Sequence, residues 1–104
     1  MKLLVFTSSG CPHCPRAGQI ASKVIPYYSD YGLLYKKIRT KSEEGKIFSE
    51  RYRIMSVPTT LIVDDDGDEL NRIVGVPSEA GLRKKIEKSL GLKSSFLSKL
   101  FGEK

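Results

Sequence analysis

The chain opens on a short apolar run, Leu3-Leu4-Val5-Phe6, with Lys2 before it and Thr7-Ser8-Ser9-Gly10 after it. A continuous apolar stretch of this length, bounded by loop residues, predicts a buried strand over residues 2–7. The period then changes. Ala17, Ile20, Ala21, Val24 and Ile25 recur at three- and four-residue spacing, one face of a helix running from Pro12 toward Ser29. Pro12 and Pro15 suit the first turn, where an N–H has no helical partner to lose. Pro26 does not, and it should kink or end the regular helix before Asp30-Tyr31-Gly32 stops it. Leu33 to Ile38 half-alternates and predicts a second strand. Strand, long helix and strand at this spacing imply a parallel pair with a right-handed crossover.

Thr40 or Ser42 can cap a following helix over residues 42–52, with Ile47, Phe48 and Tyr52 expected to face inward. Thr59-Thr60-Leu61-Ile62-Val63 is a strand rich in β-branched residues. Asp64-Asp65-Asp66-Gly67-Asp68 turns, and Glu69 to Val74 returns as the second arm of a hairpin. Ser78 is an N-cap for a last helix over residues 79–90, with Leu82, Ile86 and Leu90 on one face and Gly91 at its end. The order β-α-β-α-β-β-α predicts an α/β domain over residues 1–91, a central mixed four-stranded sheet flanked by helices. Residues 92–104 stand apart. Phe96, Leu97, Leu100 and Phe101 recur at helical spacing among Lys93, Lys99 and Lys104, a short amphipathic tail expected to pack on the domain's own surface.

Bulk properties narrow the function classes. A chain of 104 residues holds one domain. Lys and Arg total 18 against 12 Asp and Glu, but the cations are spread along the chain and no aromatic–basic motif accompanies them. They read as solvated faces, so no nucleic-acid partner is expected. No apolar run approaches the roughly 20 residues of a membrane span. The apolar start reaches the cysteines too soon for a signal peptide, so the expected location is the cytoplasm. In that reducing compartment a cysteine pair is more often catalytic than structural.

The chemistry centres on Cys11-Pro12-His13-Cys14-Pro15, which contains both cysteines and the single histidine. A thiol where a strand hands over to a helix meets exposed amides and the positive end of the helix dipole, both of which favour thiolate. Cys11 precedes the helix and is the candidate nucleophile; Cys14, one turn along, is the candidate resolving thiol. His13, with Pro12, is placed to tune the pair, because a positive charge near the thiolate stabilises the reduced form and makes the couple more oxidising. Metal binding through Cys11, His13 and Cys14 is the weaker reading, since adjacent residues seldom converge on one ion and a tetrahedral site wants a fourth ligand. The Asp64–Asp68 segment is similar to a calcium loop in composition but lacks its length and terminal Glu, so a hairpin turn is expected.

Three motifs in this order resemble the thioredoxin superfamily, in particular the small single-domain glutaredoxin-like thioredoxins of archaea and some bacteria. They are Cys11-Pro12-His13-Cys14 after a strand, Ser56-Val57-Pro58-Thr59 before a strand, and Gly75-Val76-Pro77-Ser78-Glu79 before the last helix. The resemblance spans residues 1 to about 91. It implies a thioredoxin-like fold and a dithiol–disulfide oxidoreductase without cofactor, acting on protein disulfides as a monomer. It also implies a cis Pro58 opposite the cysteines, with Val57, Pro58, Gly75 and Val76 bordering the substrate. The electron donor would be a thioredoxin-reductase-like flavoprotein or, in a glutaredoxin variant, glutathione. A non-catalytic metal- or partner-binding adaptor is the alternative of another class. Three departures stand out. Gly10 occupies the place of the usual Trp, Val5 that of a buried Asp, and Gly75-Val76 that of the glutaredoxin Gly-Gly pair. Cys-Pro-His-Cys is also the motif of the superfamily's periplasmic oxidant, which is larger and exported. Known potentials in the superfamily run from about −270 to about −120 mV, and this chain is expected between them.

Overall fold

The computed structural model describes residues 1–91; the amphipathic tail expected over 92–104 lies outside the described residues. The elements are β1 (Lys2–Thr7), α1 (Cys14–Val24), a 3-10 segment (Ile25–Tyr31), β2 (Leu34–Arg39), α2 (Glu43–Arg51), β3 (Thr59–Val63), β4 (Glu69–Val74) and α3 (Glu79–Ser89). The sheet order is β2-β1-β3-β4. β1 and β2 run parallel, while β1–β3 and β3–β4 are antiparallel. This is the mixed four-stranded sheet expected from the sequence.

The apolar run of β1 is continuous because the strand is central and covered on both faces. Leu3 and Val5 pack with Ala17, Ala21 and Val24 of α1 and with Leu82 and Ile86 of α3. Leu4 and Phe6 point the other way, to Ile38, Tyr52, Leu61 and Val63. β3 has the same character, with all five residues buried. β2 and β4 are the edges. They carry Lys36, Lys37 and Arg39 on one side and Glu69 and Arg72 on the other, and charged edges discourage pairing with another chain.

Two expectations need correction. α1 begins at Cys14, not at Pro12, with His13 as its N-cap residue. Pro15 has no N–H to give to the Cys11 carbonyl, so that carbonyl instead accepts the Cys14 N–H at 3.4 Å, and the first regular bond is Ala17 N–H to His13 O. Ile47 does not face inward; it is 66% exposed. The inward position of α2 is Gly45, with Phe48 and Tyr52 beside it at i+3 and i+7. A Cβ on Gly45 would lie 1.7 Å from the Arg39 carbonyl oxygen, so α2 rests directly on the end of β2. Pro26 ends α1 as expected: the chain continues as a 3-10 segment until Gly32, whose φ is +75°. Ser42 and Ser78 cap α2 and α3, each side chain accepting the N–H of a glycine three residues on.

Candidate active site

Four connections meet at one end of the sheet: β1 to α1, β2 to α2, α2 to β3, and β4 to α3. The parallel and antiparallel registers require it, since Phe6 pairs with Ile38 and Thr59, and Thr59 with Val74. The cysteine motif, the Val57-Pro58 loop and the Gly75-Val76 loop therefore share that end. The Gly75 N–H donates to the Pro58 carbonyl at 2.8 Å, tying two of the three loops together. Gly75 has φ +91°, a conformation in which a Cβ is strained. The Val57–Pro58 peptide is cis.

Cys11 and Cys14 are joined as a disulfide, with Cα atoms 5.4 Å apart. Their surroundings differ. Cys14 is the first residue of α1 and is 3% exposed, while Cys11 is half-buried in the preceding loop. Pro12 and His13 are exposed. The His13 side chain makes no capping bond to α1, and it lines the cleft between α1 and the Gly75 loop. Val57 is half-buried and Pro58 buried, while Gly75 and Val76 are half-buried. The N–H and carbonyl of Val57 have no backbone partner among the described residues.

Clefts open on three sides of this end. One of about 210 Å³ is lined by Thr7 to Cys11, Cys14, Pro15, Lys37 and Arg39. A second, of about 650 Å³, lies between α1 and the Gly75 loop, and its lining includes His13, Arg16, Lys23, Val76 and Glu79. A third, of about 420 Å³, includes Lys46, Met55 and Val57. Sequence reasoning missed the cations in these linings, reading them as scattered solvated charge. The available signal was the parallel register, which sets Lys37 opposite Val5 and Arg39 opposite Thr7, directly before the cysteine loop. Met55, 90% exposed beside the Val57 loop, was also missed.

The acidic hairpin turn sits at the other end of the sheet. Asp64, Asp66 and Asp68 have carboxylate oxygens within 4.8 Å of one another. The Asp64 carboxylate accepts the N–H groups of Asp66 and Asp68, both at 2.9 Å, so it builds the turn that the sequence predicts.

A half-buried sulfur paired with a buried one at a helix start is an arrangement for dithiol–disulfide exchange. The profile of the thioredoxin-like domain family matches residues 1–90. A probable thioredoxin of Archaeoglobus fulgidus is 36% identical over 91 residues, covering 88% of this chain and 89% of that protein. A thioredoxin of Methanocaldococcus jannaschii is 32% identical over 90 residues, covering 86% of this chain and 96% of that one. Among solved structures, the oxidised thioredoxin of Plasmodium falciparum superposes with a TM-score of 0.68 at 21% identity, covering 84% of this chain and 78% of that one. Fold, cysteine pair and relatives together define a thiol–disulfide oxidoreductase. The chain belongs to the thioredoxin-like family.

Proposed function

We propose that the protein exchanges its Cys11–Cys14 pair with disulfides in extended protein segments, with Cys11 as nucleophile and Cys14 as resolving thiol. The observation that carries this is the unequal burial of the two cysteines, one half-buried at a cleft mouth and the other 3% exposed. An exposed thiolate attacks; a shielded thiol one turn away waits for the mixed disulfide to form, then displaces it. The substrate backbone lies along Val57, whose open N–H and carbonyl supply a strand-like contact. Pro58, Gly75 and Val76 wall that contact, and Met55 offers an apolar neighbour. Pro12 and His13, the two residues between the cysteines, tune the couple.

The electron donor in this reading is a thioredoxin-reductase-like flavoprotein, with glutathione a poorer reductant. In this reading the protein works as a cytoplasmic monomer; among the described residues no helix is long and apolar enough to cross a membrane. The test is a trap. Cys14→Ser should accumulate a mixed disulfide between Cys11 and a protein substrate, identifiable by mass mapping. Accumulation on the other cysteine, in Cys11→Ser, would reverse the assignment of roles.

A further inference from the structure

The clefts at the redox end of the molecule are lined by cations with little carboxylate among them. Arg16, Lys23, Lys37, Arg39 and Lys46 line the three clefts that border His13, the Cys11–Cys14 pair and Val57, while the one carboxylate among all their lining residues is Glu79. Glu79 is already matched by Lys23, 3.8 Å away. Among the described residues, Arg16, Lys37, Arg39 and Lys46 have no ion-pair partner. Other cations are spread over the surface, but these four line the clefts around the disulfide. The dense acidic segment, Asp64-Asp65-Asp66-Gly67-Asp68, stands at the far end of the same sheet, where Lys2 pairs with Val63. The cleft beside that acidic segment mixes both signs, with Lys2, Lys36 and Arg51 among the aspartates, whereas the clefts at the redox end are lined by cations and Glu79.

We infer that the preferred substrates are protein disulfides flanked by acidic residues, drawn to the redox end by Arg16, Lys37, Arg39 and Lys46. The inference rests on the exchange reading above and names its substrate class. Unpaired like charges around a concave site focus the field there, and such steering raises encounter rates by about 10- to 1,000-fold at low ionic strength. The cations lie on both flanks of the disulfide: Lys37 and Arg39 beside Cys14, Arg16 on the α1 side. An extended segment crossing Val57 therefore meets positive charge before and after its own cystine. The chemical step is unchanged. Cys11 Sγ bonds one substrate sulfur as the other leaves, and Cys14 Sγ then displaces the bound one. Two electrons and two thiol protons pass to the substrate, and a dithiol reductant restores the pair.

The test uses the full-length reduced protein and two synthetic peptides with the same intramolecular disulfide, one flanked by Asp and Glu, the other by Ser and Gln. At low ionic strength the acidic peptide should be reduced about tenfold faster or more, an advantage that shrinks as salt shortens the Debye length toward about 3 Å near 1 M. Lys37→Gln/Arg39→Gln and Arg16→Gln should lose most of the advantage, read as the ratio of the acidic-peptide rate to the neutral-peptide rate, with circular dichroism reporting that the variants are folded. Lys84→Gln/Lys88→Gln, on the exposed side of α3, removes the same charge and should keep it. Equal rates on both peptides at low salt would overturn the inference and leave the exchange reading standing, as would a preference that survives in the cleft variants. Faster reduction of glutathione disulfide than of the acidic peptide would overturn the assignment to protein segments. If neither peptide is reduced, the exchange reading falls and the charge preference with it.

Discussion

The two ends of the sheet are built from the same four strands and treat their polar groups in opposite ways. At the hairpin end the turn's backbone groups and the Asp64 and Asp65 carboxylates are engaged. The Asp64 carboxylate takes two N–H groups, the Asp64 N–H reaches the Asp68 carbonyl, and the Gly67 N–H reaches the Asp64 carbonyl. The Tyr52 hydroxyl donates to the Gly67 carbonyl at 2.6 Å, and the N-terminal ammonium pairs with Asp65. At the redox end such groups are left open. His13 caps nothing, Val57 keeps its backbone groups unpaired, and Arg16, Lys37, Arg39 and Lys46 have no ion-pair partner among the described residues. A closed end contributes to stability and has little left for a partner. An open end forgoes part of that stability and keeps groups available for binding. Function follows the second pattern.

Substitutions at each end should therefore fail in different ways. The largest effect is expected where the two demands meet, at Gly45→Ala. The new Cβ collides with the Arg39 carbonyl and pushes α2 off β2, costing about 3 kcal/mol in denaturant unfolding. A loss below about 0.5 kcal/mol would mean that α2 can shift freely and does not set that end. His13→Ala comes next. It should make the couple less oxidising by about 30 mV, near a tenfold change in the exchange constant, with little change in stability. An unchanged potential in equilibrium with a redox buffer would remove His13 from the site. At the closed end the signs exchange. Tyr52→Phe should cost about 1 kcal/mol of stability through the lost bond to Gly67 and leave the exchange rate on a disulfide substrate as it was.

The smallest effect is a pH dependence at the edge strand. The Arg72 guanidinium holds the Glu69 carboxyl below its ordinary value of 4.5, despite partial burial. A carboxyl depressed in the folded state adds stability above its unfolded value and loses it as pH falls through the folded one. Glu69→Gln should therefore narrow the stability gap between neutral pH and about pH 3 by on the order of 0.5 kcal/mol. No narrowing would show that the pair contributes nothing to the β4 side.

How much of this was legible in the sequence varies with the kind of signal. β1 and β3 could be read because central strands buried on both faces leave continuous apolar runs, and the hairpin because its turn concentrates aspartates and a glycine. Pro26, Gly32, Ser42 and Ser78 act through backbone geometry that is local to each residue, so their effects were predictable. α2 was misread for a related reason. Its inward face is marked by Gly45, and a glycine that permits close approach leaves no hydrophobic trace, whereas Ile47 leaves one without being buried. The start of α1 was misplaced because the missing Pro15 N–H moves the first helical bond, an effect two prolines in one motif obscure. Cys11, Cys14, Pro58 and Gly75 belong to motifs, and strand register brings those motifs to one end of the sheet. Arg16, Lys37, Arg39 and Lys46 reach the clefts at that end only through strand register and helix placement, so in sequence they look like ordinary surface charge.

The central claim is that Cys11 and Cys14 have different jobs because one is accessible and the other shielded. Residue-resolved alkylation of the fully reduced protein across pH tests it most directly. The account predicts that Cys11 is modified first, with an apparent pKa well below the free-cysteine value of about 8.5, while Cys14 stays protected until the fold is lost. Equal labelling of the two, or Cys11 titrating near about 8.5, would contradict it.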